Sequence, residues 1–136
     1  MNARGAMAQY RSVQSQGAVT DARPTRLIQL AYEHLLGQLA VARGCMERMR
    51  HKRELADVIE KGRAVAKVNG ILGELSASLD LERGQDIAGN LLALYSYMMT
   101  RMTDANLHDD VRIVDEVSSL VREIKSGWDQ LVETGA

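Results

Sequence analysis

Three histidines, a lone cysteine and an adjacent aspartate pair are the residues of this 136-residue chain most able to make a site. A helical bundle can hold a di-iron centre, but only with inward Glu and Glu-x-x-His ligands. Ala31, Arg48 and Ala105 stand three positions before His34, His51 and His108, so that pattern is missing. The chain also lacks His-Glu-x-x-His, the Gly-x-x-x-x-Gly-Lys phosphate loop and the Gly-x-Ser-x-Gly elbow. Gly70-Ile71-Leu72-Gly73 falls inside a helical pattern and is no phosphate cradle. Cys45 projects near the core face of its helix, where a structural thiol is expected rather than a nucleophile. Asp109 and Asp110 suit helix capping better than paired acid-base work. The chain is therefore read as a non-enzyme, with no cofactor and no metal.

Composition narrows the class. Apolar residues make up 46% of the chain, with no Phe and one Trp, so a core must be built of Leu, Val, Ile, Met and Ala. A single proline fits long helices, because proline interrupts them. The net charge of −1 lacks the basic excess of a nucleic-acid binder. One cysteine cannot build a disulfide framework, which points to a reducing compartment. The N-terminus has no secretory apolar run, and no segment approaches the roughly 18 apolar residues of a membrane helix. These features predict a cytoplasmic protein without membrane insertion.

Periodicity predicts four helices. Residues 1–22 are small and polar, with scattered Met7, Tyr10, Val13 and Val19, and read as a flexible arm or short cap helix. Residues 23–136 form the bundle domain. Its first helix opens at Pro24 and closes near Arg50, with Leu27, Ala31, Leu35, Ala42, Cys45, Met46 and Met49 at helical steps. The basic run from Arg48 to Arg53 suits a helix C-terminus; the alternative is a phosphate or acidic partner. The second helix is expected over Glu54–Leu79, the third over Gln85–Asn106, and the fourth after a link at Leu107–Asp109. Short links make this an all-α, antiparallel up-down four-helix bundle.

The helices are not alike. The fourth has one narrow apolar stripe: Val114, Val117, Leu120, Val121, Ile124, Trp128 and Leu131. The second carries Val58, Val65, Val68, Leu72, Leu75 and Leu79 on one face. Beside that face runs a row of small residues, Gly62, Ala66, Gly70, Gly73 and Ala77, bracketed by Leu55 and Ile59. Three glycines in one helix imply close approach by another backbone. Either a neighbouring helix of the bundle or a partner's helix would serve. Asn69 and Ser76 are expected to fix register by hydrogen bonding. In the third helix, Ala88, Leu92, Tyr95 and Met99 widen the core line of Ile87, Leu91, Leu94, Met98, Met102 and Ala105. That surplus apolar width makes a candidate groove, and methionine suits adaptable binding surfaces.

The runs Ser78-Leu79-Asp80-Leu81-Glu82-Arg83-Gly84, Ile87-Ala88, Asn90-Leu91, Leu94-Tyr95-Ser96-Tyr97-Met98, Arg101-Met102 and Ala105-Asn106 follow one another in a familiar order. Together they resemble the central signature of the flagellin export chaperone FliS family. Ala8-Gln9-Tyr10 is similar to that family's N-terminal tyrosine motif. Pro24, Leu27-Ile28 and Leu30-Ala31-Tyr32 match its first-helix opening, and Asp115-Glu116-Val117, Leu120, Arg122-Glu123 and Trp128 its last helix. Arg23 departs from the Ser or Thr that usually precedes the proline. The glycines of the second helix are not carried over from the family.

The resemblance implies a cytoplasmic chaperone that binds the C-terminal segment of flagellin in apolar grooves. It implies that the chaperone prevents premature polymerisation and assists delivery to the flagellar type III export apparatus. The export gate and regulatory proteins are further implied partners, and self-association without cargo is open. The alternative is a helical-bundle adaptor for another flagellar or transcriptional regulator. Partner-binding candidates are Tyr10 as a cap contact, Ile28 and Tyr32 from the first helix, and Ile59, Leu72, Leu92, Tyr95 and Met99 in the groove. Periodicity gives each helix one apolar face and does not divide it into core and groove.

Overall fold

The computed structural model describes residues 24–133, which form four helices: α1 Pro24–His51, α2 Leu55–Ala77, α3 Leu81–His108 and α4 Val111–Glu133. The arm expected over residues 1–22, with Tyr10, lies outside the described residues. α1 packs on α2 and α4, and α3 packs on the same two, so α1 and α3 occupy opposite corners of a four-helix bundle. Cross-contacts give the directions. Gln29 near the start of α1 bonds Asp129 near the end of α4, and Lys61 near the start of α2 reaches Asn106 near the end of α3.

The buried residues explain why the helices pack this way. They recur at alternating three- and four-residue steps in every helix: Ile28, Tyr32, Leu35, Leu39, Ala42, Met46 and Met49 in α1, and Val65, Val68, Leu72, Leu75 and then Leu79 from α2 onward. Ala88, Leu91, Tyr95, Met98, Met102 and Ala105 do the same in α3, and Val114, Val117, Val121, Ile124 and Trp128 in α4. A mean step of about 3.5 residues keeps each seam facing its neighbours in a left-handed bundle. At the centre, the hydroxyls of Tyr32 and Tyr95 hydrogen-bond at 2.5 Å, so each buried phenol has a polar partner.

The helix boundaries differ most from expectation in α3, which also runs on to His108 through two residues of the expected link. It begins at Leu81 rather than Gln85, because Asp80 caps it: its Oδ1 accepts the Glu82 backbone N–H at 3.1 Å. The run Glu82–Gly84 is thus helix rather than link. Before α4 the expected cap is present, with Asp110 Oδ1 accepting the Arg112 N–H at 3.0 Å. α3 ends in a Schellman turn, in which the Asp110 N–H bonds the Ala105 carbonyl at 3.1 Å. Asp109 occupies the left-handed position of that turn at φ 51°, a conformation that costs a non-glycine residue about 1–2 kcal/mol.

Candidate partner-binding groove

The row of small residues on α2 has no close neighbour, though Gly62 and Gly73 are half-buried. A Cβ added at Gly62, Gly70 or Gly73 would meet nothing within 4 Å, and Ala66 and Ala77 are exposed. This overturns the reading in which a helix of the same bundle packs on the glycines. The heptad seam of α2 faces inward, and the small row lies outside it. Arg48 of α1 bonds Asp57 at 2.9 Å on one flank of α2. At about 100° per residue the small row falls on the other flank, beside α3.

α3 presents Leu92 and Met99 to the same seam. These two and Asn106 recur every seven residues along one flank, and the Asn106 carbonyl accepts from Lys61 of α2. The opposite flank of α3 faces α4: there Tyr97 and Arg101 donate to Glu116 at 2.6 and 2.9 Å. Those two bonds hold the Glu116 carboxyl below the usual range. Leu92 and Met99 are half-buried, Ile59 is 45% exposed, and Leu55 and Leu107 are more exposed still. The α2–α3 seam thus carries an apolar border, floored on the α2 side by residues without bulk.

The sequence-predicted residues divide between partly exposed positions and the interior. Leu92 and Met99 lie on the α2-facing flank of α3, and Ile59 is exposed on the outer side of α2. Ile28, Tyr32, Leu72 and Tyr95 are core residues, at most 3% exposed, and Tyr32 and Tyr95 bond each other. Neither polar residue expected to set register bridges helices in the described bonds. Ser76 Oγ donates to the Leu72 carbonyl of its own helix at 2.8 Å, and Asn69 Oδ1 is buried without a hydrogen-bond partner. The residue that does bridge is Lys61, which sequence reading passed over. Its Nζ is tied to the Asn106 carbonyl at 2.9 Å and to Asp109. Lys61 sits in phase with Val65, Val68 and Leu72, and that phase was the available signal.

One cluster has ligand-type atoms. Cys45, Asp57 and Glu60 bring a thiol and two carboxylates together at the α1–α2 end. The Arg48 guanidinium already lies among them, 3.4 Å from Sγ, 2.9 Å from Asp57 and 3.8 Å from Glu60. Burial is the largest influence on the Cys45 thiol and raises its pKa, so it is a poor nucleophile. Among the described residues no helix is long and apolar enough to cross a membrane.

A sequence model described as flagellar protein FliS matches residues 6–135. The chain belongs to the FliS family. It is 47% identical over 129 residues to a flagellar secretion chaperone FliSB of Pseudomonas aeruginosa, covering 95% of this chain and 97% of that one. It is 37% identical over 123 residues to the flagellar secretion chaperone FliS of Salmonella typhimurium, covering 90% and 86%. The FliS of Bacillus subtilis is more distant, at 25% over 119 residues, with 88% and 83% covered. The resemblance read from residues 78–106 is thus a family relationship spanning nearly the whole chain. FliS proteins are flagellar secretion chaperones, and an apolar docking surface rather than a catalytic constellation is what such a role calls for.

Proposed function

We propose that this protein is a cytoplasmic chaperone that holds the C-terminal segment of flagellin along the α2–α3 seam. It keeps that segment from polymerising and assists its delivery to the flagellar type III export apparatus. The observation that carries the reading is the uncovered row Gly62, Ala66, Gly70, Gly73 and Ala77 beside Leu92 and Met99. Glycine inside a helix costs roughly 0.5–1 kcal/mol relative to alanine, and nothing within the bundle recovers that cost. A partner helix laid into the seam does: small residues admit its backbone closely, while Ile59, Leu92 and Met99 receive its i, i+3 and i+4 side chains. Folding of the cargo on binding costs about 2–5 kcal/mol, so an extended contact suits the task.

The N-terminal segment has a place in this reading. An uncovered apolar seam invites aggregation, and Tyr10 with Met7 and Val13 would cover it until cargo arrives. The chaperone role requires no catalysis. Isothermal titration of the purified protein with flagellin tests the reading. A one-to-one complex that vanishes when flagellin loses its C-terminal segment is expected. Equal affinity for the truncated flagellin would sink it.

A further inference from the structure

We propose that Lys61 and Asp109 are positioning residues that set the register of α2 against α3 at one end of the partner-binding seam, in exchange for some bundle stability. The proposal rests on the cargo reading above. Lys61 stands where the α2 core pattern calls for an aliphatic side chain and is only 5% exposed. A buried ion pair is often no more stabilising than well-packed apolar residues. A single lysine at a core position of a helical assembly is known to fix register at a cost in stability. Asp109, its partner, is out of place in a different way. It takes the left-handed position that closes α3, where glycine is the ordinary residue.

Each residue is locally unfavourable, and they meet in one contact. Glycine at 109 would relax the turn but has no side-chain acceptor, whereas the Asp109 carboxylate accepts from Lys61 and from Arg53, the latter at 3.1 Å. Both donors lie outside α3. Burial alone would raise the Asp109 pKa; the Lys61 and Arg53 hydrogen bonds more than offset it and hold the carboxyl below the usual range. The contact joins the two helices that border the seam. Lys61 lies between Ile59 and Gly62, and the Asn106 carbonyl that it also binds is seven residues beyond Met99.

Two variants of the full chain test this. Lys61→Met keeps the apolar stem without the charge, and the double variant Lys61→Met/Asp109→Gly also removes the carboxylate while keeping the left-handed turn, so that no buried charge is left unpaired. Both are titrated with flagellin by calorimetry, melted, and followed by amide exchange in the free state. Each is expected to melt within about 3 °C of the parent or above it, to bind about five-fold or more weakly, and to exchange faster over residues 55–62 and 103–109. Parental affinity in the variants overturns the proposal. So does an affinity loss that comes only with a matching fall in melting temperature, since that marks ordinary structural residues. If Lys61→Met does not fold, the double variant decides alone. A parent chain that does not bind flagellin refutes the cargo reading instead, and unchanged exchange over the two segments then overturns the register role separately.

Discussion

Leu72 and Met99 look alike in the sequence, as apolar residues on wide helical faces, but the fold gives them different work. Leu72 is fully buried, whereas Met99 lies half-buried along the α2–α3 seam. Leu72→Ala is expected to destabilise the bundle by about 2–5 kcal/mol, as large-to-small changes in packed cores do, measured by chemical unfolding. Met99→Glu should cost less, about 1 kcal/mol, and weaken flagellin binding by about ten-fold or more, as loss of one well-placed apolar anchor does. The Tyr32–Tyr95 hydroxyl pair belongs with Leu72: Tyr32→Phe removes one buried hydrogen bond and should cost about 1 kcal/mol. A large effect of Met99→Glu on unfolding would instead place that residue in the core.

Among the helices, α2 departs furthest from an ordinary bundle element. Its inward seam is regular, yet its outer flank spends three glycines where alanine would be more stable. Because open space lies above Gly70, Gly70→Ala should stabilise the free protein by about 0.5–1 kcal/mol in thermal unfolding. Gly70→Leu should leave stability close to the parent and reduce flagellin affinity, since a bulky side chain holds a partner helix away. Affinity unaffected by leucine at 70 would remove the small row from the contact surface. α4 makes a useful contrast. Its inward face is broader than its apolar stripe, since Ile113 and Ser118 are buried beside Val114, Val117, Val121, Ile124 and Trp128, and Arg43–Asp115 and Gln29–Asp129 tie its polar edge to α1.

Across the whole molecule, ion pairs near the surface set the response to acid. Asp109, Asp115, Glu116 and Asp129 all have pKa values below the ordinary carboxylate range. Hydrogen bonds lead the shift for Asp115, from Arg43, and for Glu116, from Tyr97 and Arg101. For Asp109 and Asp129 burial opposes the shift and is outweighed, by Lys61 with Arg53 and by Lys125 with Gln29. A carboxylate with a depressed folded pKa binds fewer protons when folded than when unfolded, so stability rises with pH through that window. The contribution is complete above the unfolded carboxylate range of about 4 and is lost as pH falls through the lower folded values. Unfolding midpoints should therefore hold from neutral pH down to that range and then drop. Asp109→Asn should shrink the drop, and an unchanged acid limb would show that the Asp109 pair contributes little. Removal of residues 1–15 tests the cap at the same scale: raised cargo affinity or self-association is expected, read by calorimetry and light scattering.

The heptad-like spacing of apolar residues, the single proline and the short links determined a four-helix antiparallel bundle, because a 3.5-residue step leaves each helix one inward seam. Residues 78–106 determined the family, because that run is long and specific. Local chemistry offered Asp109 or Asp110 as the cap before α4, and the structure uses Asp110. The Asp80 cap was equally visible in type, but Arg83 and Gly84 beside it read as a link. Only the tertiary structure separated core from partly exposed positions. Periodicity reports which face of a helix is apolar, whereas burial depends on what packs there, and so Tyr32, Leu72 and Tyr95 went inside while Ile59, Leu92 and Met99 stayed partly exposed. The same limit hid Lys61, a charge read as surface until Asn106 and Asp109 closed over it. For the glycines of α2 the sequence implied close approach by another backbone, and no neighbouring helix of the bundle makes it: a Cβ added at Gly62, Gly70 or Gly73 would meet nothing within 4 Å.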